Sequence, residues 1–219
     1  MINYYSGTPG SGKSLHVAQV IEDYLRCGKN VIANFEFRDD LVKKKWLRDK
    51  GHFVYFPDAQ IMDNGRDPVN SLVGFDANFH KKSKNGATVE DQTLLVFDEA
   101  GILFNSRDWQ SKYRPRWLWF FAQHRKLGFN VIIISQAERQ IDRQVRACFE
   151  YDYVHRRIGN YKKLGRFLEI ITFSKLFSYT VHWYGVSGQD AKSTPVFFRG
   201  RKRYYGMYNT AKMFGCQDA

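Results

Sequence analysis

The sequence has few cysteines, and their positions fit neither a disulfide framework nor a metal site. Its 219 residues include three, at positions 27, 148 and 216, an odd number with long separations. Cys27 and Cys148 lie in apolar stretches with helical spacing, so we expect both to be buried free thiols. This usage is typical of a reducing compartment and excludes a small secreted domain held by disulfides.

Long apolar runs are also absent. No stretch approaches the roughly 20 apolar residues that a membrane-spanning helix needs. The first predicted strand begins at Ile2, so we expect no signal peptide before it. Hydrophobic residues make up 43% of the sequence and aromatic residues 16%, enough for a sizeable core. We therefore expect a soluble chain of one domain with at most a small appendage.

Acidic residues are scarce towards the C-terminus. The whole sequence has 34 Lys and Arg against 22 Asp and Glu, a formal net charge of +12. Residues 1–138 contain 19 basic and 16 acidic groups, whereas residues 139–219 contain 15 and 6. Such a basic part suggests nucleic acid or anionic lipid as a partner, and a merely solvated basic surface is the alternative.

A glycine-rich loop is the first strong motif that the sequence does contain. The segment GTPGSGKS matches G-x-x-x-x-G-K-[ST] and lies between a predicted strand and a predicted helix, the context that a P-loop requires. Its backbone N–H groups would surround phosphate, while Lys13 meets the β- and γ-phosphates and the Ser14 hydroxyl binds Mg²⁺. A chance glycine turn is the alternative. The predicted nucleotide-binding residues are Gly7, Thr8, Pro9, Gly10, Ser11, Gly12, Lys13, Ser14 and Leu15.

A buried strand that ends in two carboxylates supplies a second motif. The segment LLVFDEA places Asp98 and Glu99 at a strand tip, where P-loop enzymes hold the Mg²⁺ water shell with an acidic residue. Asp98 fits this metal role, and Glu99 fits the base that accepts a proton from the attacking water. The alternatives are that Asp98 caps the next helix and that Glu99 is an ordinary acid of its first turn.

Two amides follow neighbouring predicted strands. If the strand NVIIIS lies between the P-loop strand and the Asp98 strand, Gln136 at its tip could sense the γ-phosphate or orient water. In the same layout Asn34 ends the second strand, and we hypothesise that it holds Glu99 in an inactive pose. Nothing resembles the guanine-reading motif Asn-Lys-x-Asp, so ATP with Mg²⁺ is the expected ligand.

Apolar strands that alternate with helices predict an α/β fold, with a mainly parallel sheet covered on both faces. The predicted core spans residues 1–158 and includes a surface insertion at about 58–91. The second part, 159–219, is predicted to form a small antiparallel β-ribbon and a basic aromatic tail. Predicted strands lie at 2–6, 30–37, 52–57, 92–101, 129–136, 151–158, 166–174 and 177–186, and predicted helices at 14–27, 39–51, 68–79, 114–128 and 141–150.

The chain resembles the zonular occludens toxin family, and within it the filamentous phage assembly ATPases of the inner membrane. The resemblance covers nearly the whole chain. It rests on the segments GTPGSGKS, LLVFDEAGILFNSRDW, HRKLGFNVIIISQ, IDRQVR and YNTAKMFG. By position it implies phosphate and Mg²⁺ binding by Lys13 and Ser14, metal binding by Asp98 and a base role for Glu99. Asn105, Arg107 and Trp109 occupy a further family segment, in which a structural or interface role is as plausible as a catalytic one.

The resemblance also implies an ATP-hydrolysing oligomer at the cytoplasmic face of the host inner membrane. Its implied partners are phage DNA or the DNA-binding protein, the coat and other export proteins, and the membrane. Family members carry a membrane helix and a periplasmic tail after the ATPase domain, whereas this sequence stops at Ala219. We expect the membrane contact to need a segment that is not present in this chain.

Three other functions stay open at this point. A DNA-pumping P-loop translocase would suit the tail, where Arg199, Arg201, Lys202 and Arg203 lie beside Tyr204, Tyr205 and Tyr208. A small-molecule kinase is weaker, because no arginine-rich lid motif is present. The third of these functions is a nucleotide-gated binding module with little turnover. We also expect a cation from a neighbouring subunit to complete the site, with Arg125 and Arg146 as candidates, although either could form an intramolecular ion pair.

Overall fold

One β-sheet runs through the chain and positions the candidate site. The computed structural model describes residues 1–43, 49–62, 66–107, 112–161, 165, 167, 175–186, 191 and 193–208. Within them the strands are β1 (Ile2–Ser6), β2 (Asn30–Ala33), β3 (Phe53–Tyr55), β4 (Thr93–Phe97), β5 (Phe129–Ile134), β6 (Tyr151–Arg157), β7 (Leu176–Trp183) and β8 (Val196–Arg199). They form a sheet in the order β3-β2-β4-β5-β1-β6-β7-β8.

The first six strands are parallel, as the sequence predicts, and the last two are antiparallel. The C-terminal strands do not form a separate ribbon, because β7 pairs along its length with β6 and extends the main sheet. The first of the two strands predicted for that ribbon, at 166–174, falls almost entirely outside the described residues. Its place next to β7 is taken by β8, from the segment predicted to be a tail.

Helices cover both faces of the sheet. They are α1 (Lys13–Arg26), α2 (Asp58–Met62), α3 (Pro68–Phe79), α4 (Ala100–Leu103), α5 (Arg114–Gln123), α6 (Arg143–Arg146) and α7 (Lys202–Met207). Side chains alternate along a strand, so Leu94 and Val96 of β4 join the core layer under α1, whereas Leu95 and Phe97 join the layer under α3 and α5. The predicted two-layered core is confirmed.

The helix predicted at 68–79 is confirmed with the same bounds. Pro68 stands at its first position, and the Asp67 side chain accepts a 2.9 Å hydrogen bond from the Val69 amide, a stabilising N-terminal cap. Val69 and Leu72 are buried in the core layer that also contains Ile61 of α2. The segment predicted as a surface insertion therefore supplies part of the core.

Two local predictions are wrong. Over 39–51 the described residues contain only a 3₁₀ turn, at Asp39–Leu41, and positions 44–48 lie outside the described part. The chain is not helical at Gly51, where an added Cβ would lie 1.8 Å from the Lys29 carbonyl oxygen. Cys27 is an exposed free thiol because α1 ends at Arg26, and Cys148 is half-buried.

Among the described residues, no helix is long and apolar enough to cross a membrane.

Candidate nucleotide-binding site

The glycine-rich loop joins β1 to α1 in a conformation that only glycine adopts easily. The φ angles of Gly7, Gly10 and Gly12 are 135°, 73° and 96°. At Gly7 an added Cβ would also lie 2.5 Å from the backbone oxygen of His155, on the adjacent strand β6. The first glycine is thus required both by its backbone angle and by the close approach of β6.

The start of α1 has the features of an anion site. The helix begins at Lys13, and neither a side-chain cap nor an acidic residue satisfies the N–H groups of its first turn. Ser11 is buried, and its Oγ has no hydrogen-bond partner among the described residues. These free donors fit phosphate oxygens, so the loop residues predicted from the sequence form a suitable phosphate site.

The Lys13 side chain folds back over this loop. Its ammonium group donates hydrogen bonds to the carbonyl oxygens of Gly7, at 2.7 Å, and Thr8, at 3.3 Å. Burial lowers the pKa of Lys13, while the nearby carboxylates of Asp98 and Glu99 raise it in part. The structure therefore brings the cation and the acidic pair into one electrostatic site, as the motifs predict.

Asp98 is held at the carboxyl edge of β4 by Asn34. The Asp98 amide donates to Asn34 Oδ1 at 2.7 Å, and Asn34 Nδ2 donates to the Asp98 carbonyl at 3.0 Å and to Asp58 Oδ1 at 2.7 Å. The hypothesis that Asn34 holds the Glu99 side chain is wrong. Because β2 pairs directly with β4, the tip of β2 meets the backbone of Asp98 instead.

The carboxylate of Asp98 is not a helix cap. The residue at the N-cap of α4 is Glu99, and Asp98 Oδ1 accepts a 2.9 Å bond from the Glu99 amide next to it. Burial raises the pKa of Asp98, and a hydrogen bond from Tyr208 and the charge of Lys13 oppose that rise. A half-buried carboxylate beside a P-loop lysine fits a cation better than it fits a capping role.

Glu99 has an unusual backbone. Its φ of 48° is in the left-handed region, which costs a non-glycine residue roughly 1–2 kcal/mol. Its Oε1 accepts a 3.2 Å hydrogen bond from Gln136 Nε2. The sheet order places β5 between β4 and β1, as expected for this glutamine, so the amide that holds Glu99 comes from β5 and not from β2.

The two arginine candidates each pair with an acidic residue of the same chain. Arg125 follows α5 at the edge where β4 and β5 begin, opposite the P-loop, and its guanidinium bonds to Glu90 at 3.1 Å. Arg146, the last residue of α6, forms a 3.9 Å ion pair with Glu138. These are the intramolecular pairs that the sequence left open as alternatives, and a role in a neighbouring subunit stays a prediction.

Sequence reasoning missed the part that Tyr208 takes in the site. Its hydroxyl donates to Asp98 Oδ2 and lies near the Ser14 side chain. Burial and the adjacent Asp98 raise the pKa of Tyr208, so the phenol stays a neutral donor. The signal was present in the segment YNTAKMFG, which begins with this tyrosine. Its proposed use as an exposed stacking ring is wrong, because Tyr208 is buried.

A buried pair of imidazoles was also missed. His16 Nδ1 and His155 Nε2 lie 2.8 Å apart. Both rings contact Tyr5 and Tyr179, and His16 also contacts Tyr153. Burial lowers the pKa of His16 to about 3 and that of His155 to about 4. Since His16 follows the loop and His155 contacts Gly7, the pair fixes the loop against β6.

The family segment after Glu99 is only partly described. The Arg107 amide donates a 2.9 Å bond to Asn105 Oδ1, and Asn105 forms a β-bridge with Ile141, so both make local structural contacts. Trp109 lies outside the described residues.

The residues that would hold Mg²⁺ fit that ion in number and type. Ser14 and Asp98 both reach the Tyr208 hydroxyl, so their oxygens converge on one small region. In the described residues there is no group of three or more His, Cys, Asp or Glu that could hold a metal. Mg²⁺ usually binds through one or two protein oxygens together with substrate phosphates and water, which suits this donor set.

Comparisons with known proteins show the family of the chain. The model of the zonular occludens toxin (Zot) family matches residues 1–186. The chain belongs to the Zot family. A relative, the Gene 1 protein of Escherichia phage If1, is 30% identical over 217 residues, which cover 95% of this chain and 58% of that protein. The chain thus spans less than two thirds of the length of this relative.

Solved structures show the same fold. The N-terminal domain of the zonular occludens toxin from Neisseria meningitidis superposes with a TM-score of 0.53 at 18% identity, over 95% of this chain and 98% of that one. The genome packaging NTPase B204 from Sulfolobus turreted icosahedral virus 2, in complex with ATP-gammaS, gives 0.51 at 14% identity, over 90% and 95%. This Zot-family chain has the α/β fold of P-loop NTPases, as the sequence predicts.

Proposed function

We propose that the chain is the ATP-hydrolysing motor domain of a protein that assembles and extrudes filamentous phage. The observation that carries the proposal is the meeting of Lys13 with Asp98 and Glu99 at one edge of the sheet. Family membership and the likeness to a phage Gene 1 protein support the assembly role.

Each group in the site has a defined part in hydrolysis. The free N–H groups of the loop and of α1 bind phosphate oxygens, and Lys13 turns from its loop carbonyls towards the β- and γ-phosphates. Glu99 accepts a proton from the attacking water, and Gln136 orients the Glu99 carboxylate. When Mg²⁺ is bound, through Ser14 and Asp98, it neutralises charge on the β- and γ-phosphates.

The proposal includes an oligomer that works in the host cytoplasm, at the cytoplasmic face of the inner membrane. Its partners would be other copies of the chain, phage DNA or the protein that coats it, the phage coat and other export proteins. Contact with the membrane would be made by a segment outside this chain. In favour of this arrangement, the If1 relative is longer than the chain, which covers 58% of it.

Substitution of Lys13 tests the enzyme. Lys13→Ala should abolish ATP hydrolysis and weaken nucleotide binding, because a triphosphate in the loop loses its direct cation. Lys126→Ala is the matched control, since Lys126 is exposed at the opposite edge of the sheet. Near-normal turnover in the Lys13 variant would contradict the P-loop assignment, and specific activity that rises with protein concentration would support the oligomer.

Mixing experiments test completion of the site by a neighbour. Variants Arg125→Ala and Arg146→Ala should be compared for ATP binding and hydrolysis, alone and mixed with Lys13→Ala. A trans-acting arginine variant should bind ATP normally, fail to hydrolyse it, and regain some activity in the mixture. Normal hydrolysis by both variants, or activity that is flat over a dilution series spanning dissociation, would exclude this arrangement.

A DNA-pumping translocase is the second candidate. It is favoured by the structural likeness to the packaging NTPase B204 and by the exposed cations Arg199, Arg201 and Lys202. ATPase activity that rises on addition of DNA would favour this candidate. Activity that depends on protein concentration but not on DNA would favour the assembly motor.

A further inference from the structure

The C-terminal helix brings a phenol to the two groups assigned to the metal. The Tyr208 hydroxyl donates to Asp98 Oδ2 and lies near the Ser14 side chain. Tyr208 is 110 residues from Asp98 in sequence, and only 6% of its surface is exposed. The contact is thus a built tertiary interaction and not a surface side chain that happens to be near.

A set of contacts holds this segment in place. Arg203 of α7 forms an ion pair with Glu22, which is buried in α1, and donates a 3.1 Å hydrogen bond to the Leu41 carbonyl. Met207 is buried in the core layer under α1, and its carbonyl accepts a 2.9 Å bond from the Arg38 amide. These contacts dock α7 across α1 and deliver the next residue, Tyr208, to the carboxyl edge of the sheet.

The ring of Tyr208 has its own packing partner. It lies 4.3 Å, between ring centroids, from Phe35, and the backbone of Tyr208 forms a β-bridge with Phe37. Removal of the hydroxyl alone would therefore leave the ring packed. The hydroxyl contributes the polar contacts with Asp98 and Ser14, which separates its role from that of the ring.

Mg²⁺ needs the same space. It takes six oxygen ligands at about 2.0–2.1 Å in near-octahedral geometry and keeps several waters. An ion bound to Ser14 and reaching Asp98 through water would occupy the region between these two side chains, which holds the Tyr208 oxygen. A phenol bonded to the Asp98 carboxylate competes with the ion and its water shell for this region.

We propose that Tyr208 is a plug that docks in place of the metal, so that loading of Mg²⁺ with nucleotide releases Tyr208 and loosens α7. The inference rests on the proposed function, since it assigns a regulatory contact to the same site. Without Mg²⁺, α7 stays docked and Tyr208 occupies the region of the metal site. With Mg²⁺ bound, Tyr208 leaves Asp98 and α7 loosens. Nucleotide state is thereby coupled to the C-terminal end of the described chain.

The first test is a metal titration on the whole chain. Binding of a fluorescent, non-hydrolysable ATP analogue is followed as Mg²⁺ is increased, in the parent protein, Tyr208→Phe and Tyr205→Phe. Because Tyr208→Phe removes a hydrogen bond to a charged group, the Mg²⁺ concentration at half-saturation should fall about tenfold. Tyr205 belongs to the same helix and its ring is 46% exposed, so Tyr205→Phe should match the parent protein.

The second test needs no substitution. Hydrogen exchange of the amides of residues 202–208 is measured in the parent protein with the analogue plus EDTA and with the analogue plus Mg²⁺. The plug requires faster exchange of this segment only when Mg²⁺ is present. Unchanged or slower exchange would overturn the inference, because α7 would then stay docked on the loaded site.

The outcomes separate the inference from the function. A half-saturation concentration that is equal or higher in Tyr208→Phe, with normal nucleotide binding, would overturn the plug alone, and a higher value would make Tyr208 a support of the metal. If the parent protein and both variants all fail to bind the analogue, the proposed function and the plug are both contradicted.

Discussion

The side-chain amide of Gln136 donates a 3.2 Å hydrogen bond to the carboxylate of Glu99. The two residues follow the neighbouring strands β5 and β4, so the pairing of these strands fixes the pair at the edge that contains the P-loop. A neutral amide can orient a carboxylate without neutralising it. The Gln136 amide therefore positions Glu99 at the site where the sequence predicts a base, on a backbone with a left-handed φ of 48°.

Glu99→Gln should keep ATP bound and slow its hydrolysis by roughly 10²-fold or more, because the amide preserves size and loses the proton acceptor. Single-turnover hydrolysis and nucleotide binding are the measurements. Glu90→Gln is the control, since Glu90 is exposed at the opposite edge of the sheet. If Asp98→Asn slows turnover and Glu99→Gln does not, Glu99 is not the base and is only a residue at the start of α4.

Two glycines of the loop should differ sharply in what they tolerate. Gly10 has a φ of 73° and open space around it, so Gly10→Ala should lower the free energy of unfolding by about 1 kcal/mol. Gly7→Ala adds a 2.5 Å clash with the His155 backbone to a φ of 135°, and should cost at least about 2 kcal/mol more. Urea denaturation measures both, and equal losses would show that β6 moves away at no cost.

Signals that are contiguous in the chain were read correctly from the sequence. Local residue types predict the loop, the strand before Asp98 and the buried β5. The structure meets the condition set for Gln136, that β5 lies between β4 and β1. The helix at 68–79 was placed correctly because Asp67 and Pro68 mark its start. Local chemistry was sufficient for these elements.

Contacts between distant segments could not be read in this way. Composition described the tail as basic and aromatic, but it could not show that Arg203 pairs with Glu22 or that Tyr208 reaches Asp98. The hypothesis about Asn34 failed for a related reason. Adjacency of two strand tips does not decide which atoms meet. Here the Asn34 side chain bonds to the backbone of Asp98 instead of the side chain of Glu99.

The buried pair His16 and His155 should make stability depend on pH. Burial lowers their pKa values to about 3 and about 4, whereas an unfolded histidine has a pKa near 6.5. Below about pH 6.5 the unfolded state therefore binds more protons, and the free energy of unfolding falls as the pH falls. From pH 7 to pH 5 the loss should be roughly 2 kcal/mol for each imidazole.

Urea denaturation at pH 7 and pH 5 checks this dependence. His16→Gln should lower stability at pH 7 but show a smaller further loss at pH 5 than the parent protein. The control is His52→Gln, which removes an exposed histidine and should keep the pH dependence of the parent. An equal loss between the two pH values in all three proteins would assign the acid sensitivity to other groups.

The cations of the tail should separate into two classes. Arg199, Arg201 and Lys202 are exposed, whereas Arg203 is paired with the buried Glu22. Replacing the three exposed cations with Ser should flatten the salt dependence of DNA binding, by about 0.9 in logarithmic slope for each phosphate that is no longer neutralised, and leave stability unchanged. Arg203→Ser should instead lower the free energy of unfolding by about 1–3 kcal/mol, because it leaves the buried Glu22 with the longer, 3.9 Å ion pair to Arg26. Binding titrations at several salt concentrations and urea denaturation measure the two effects. An unchanged salt slope in the triple variant would mean that this surface is only solvated, and equal stability losses in both variants would mean that the ion pair of Arg203 has no special structural role.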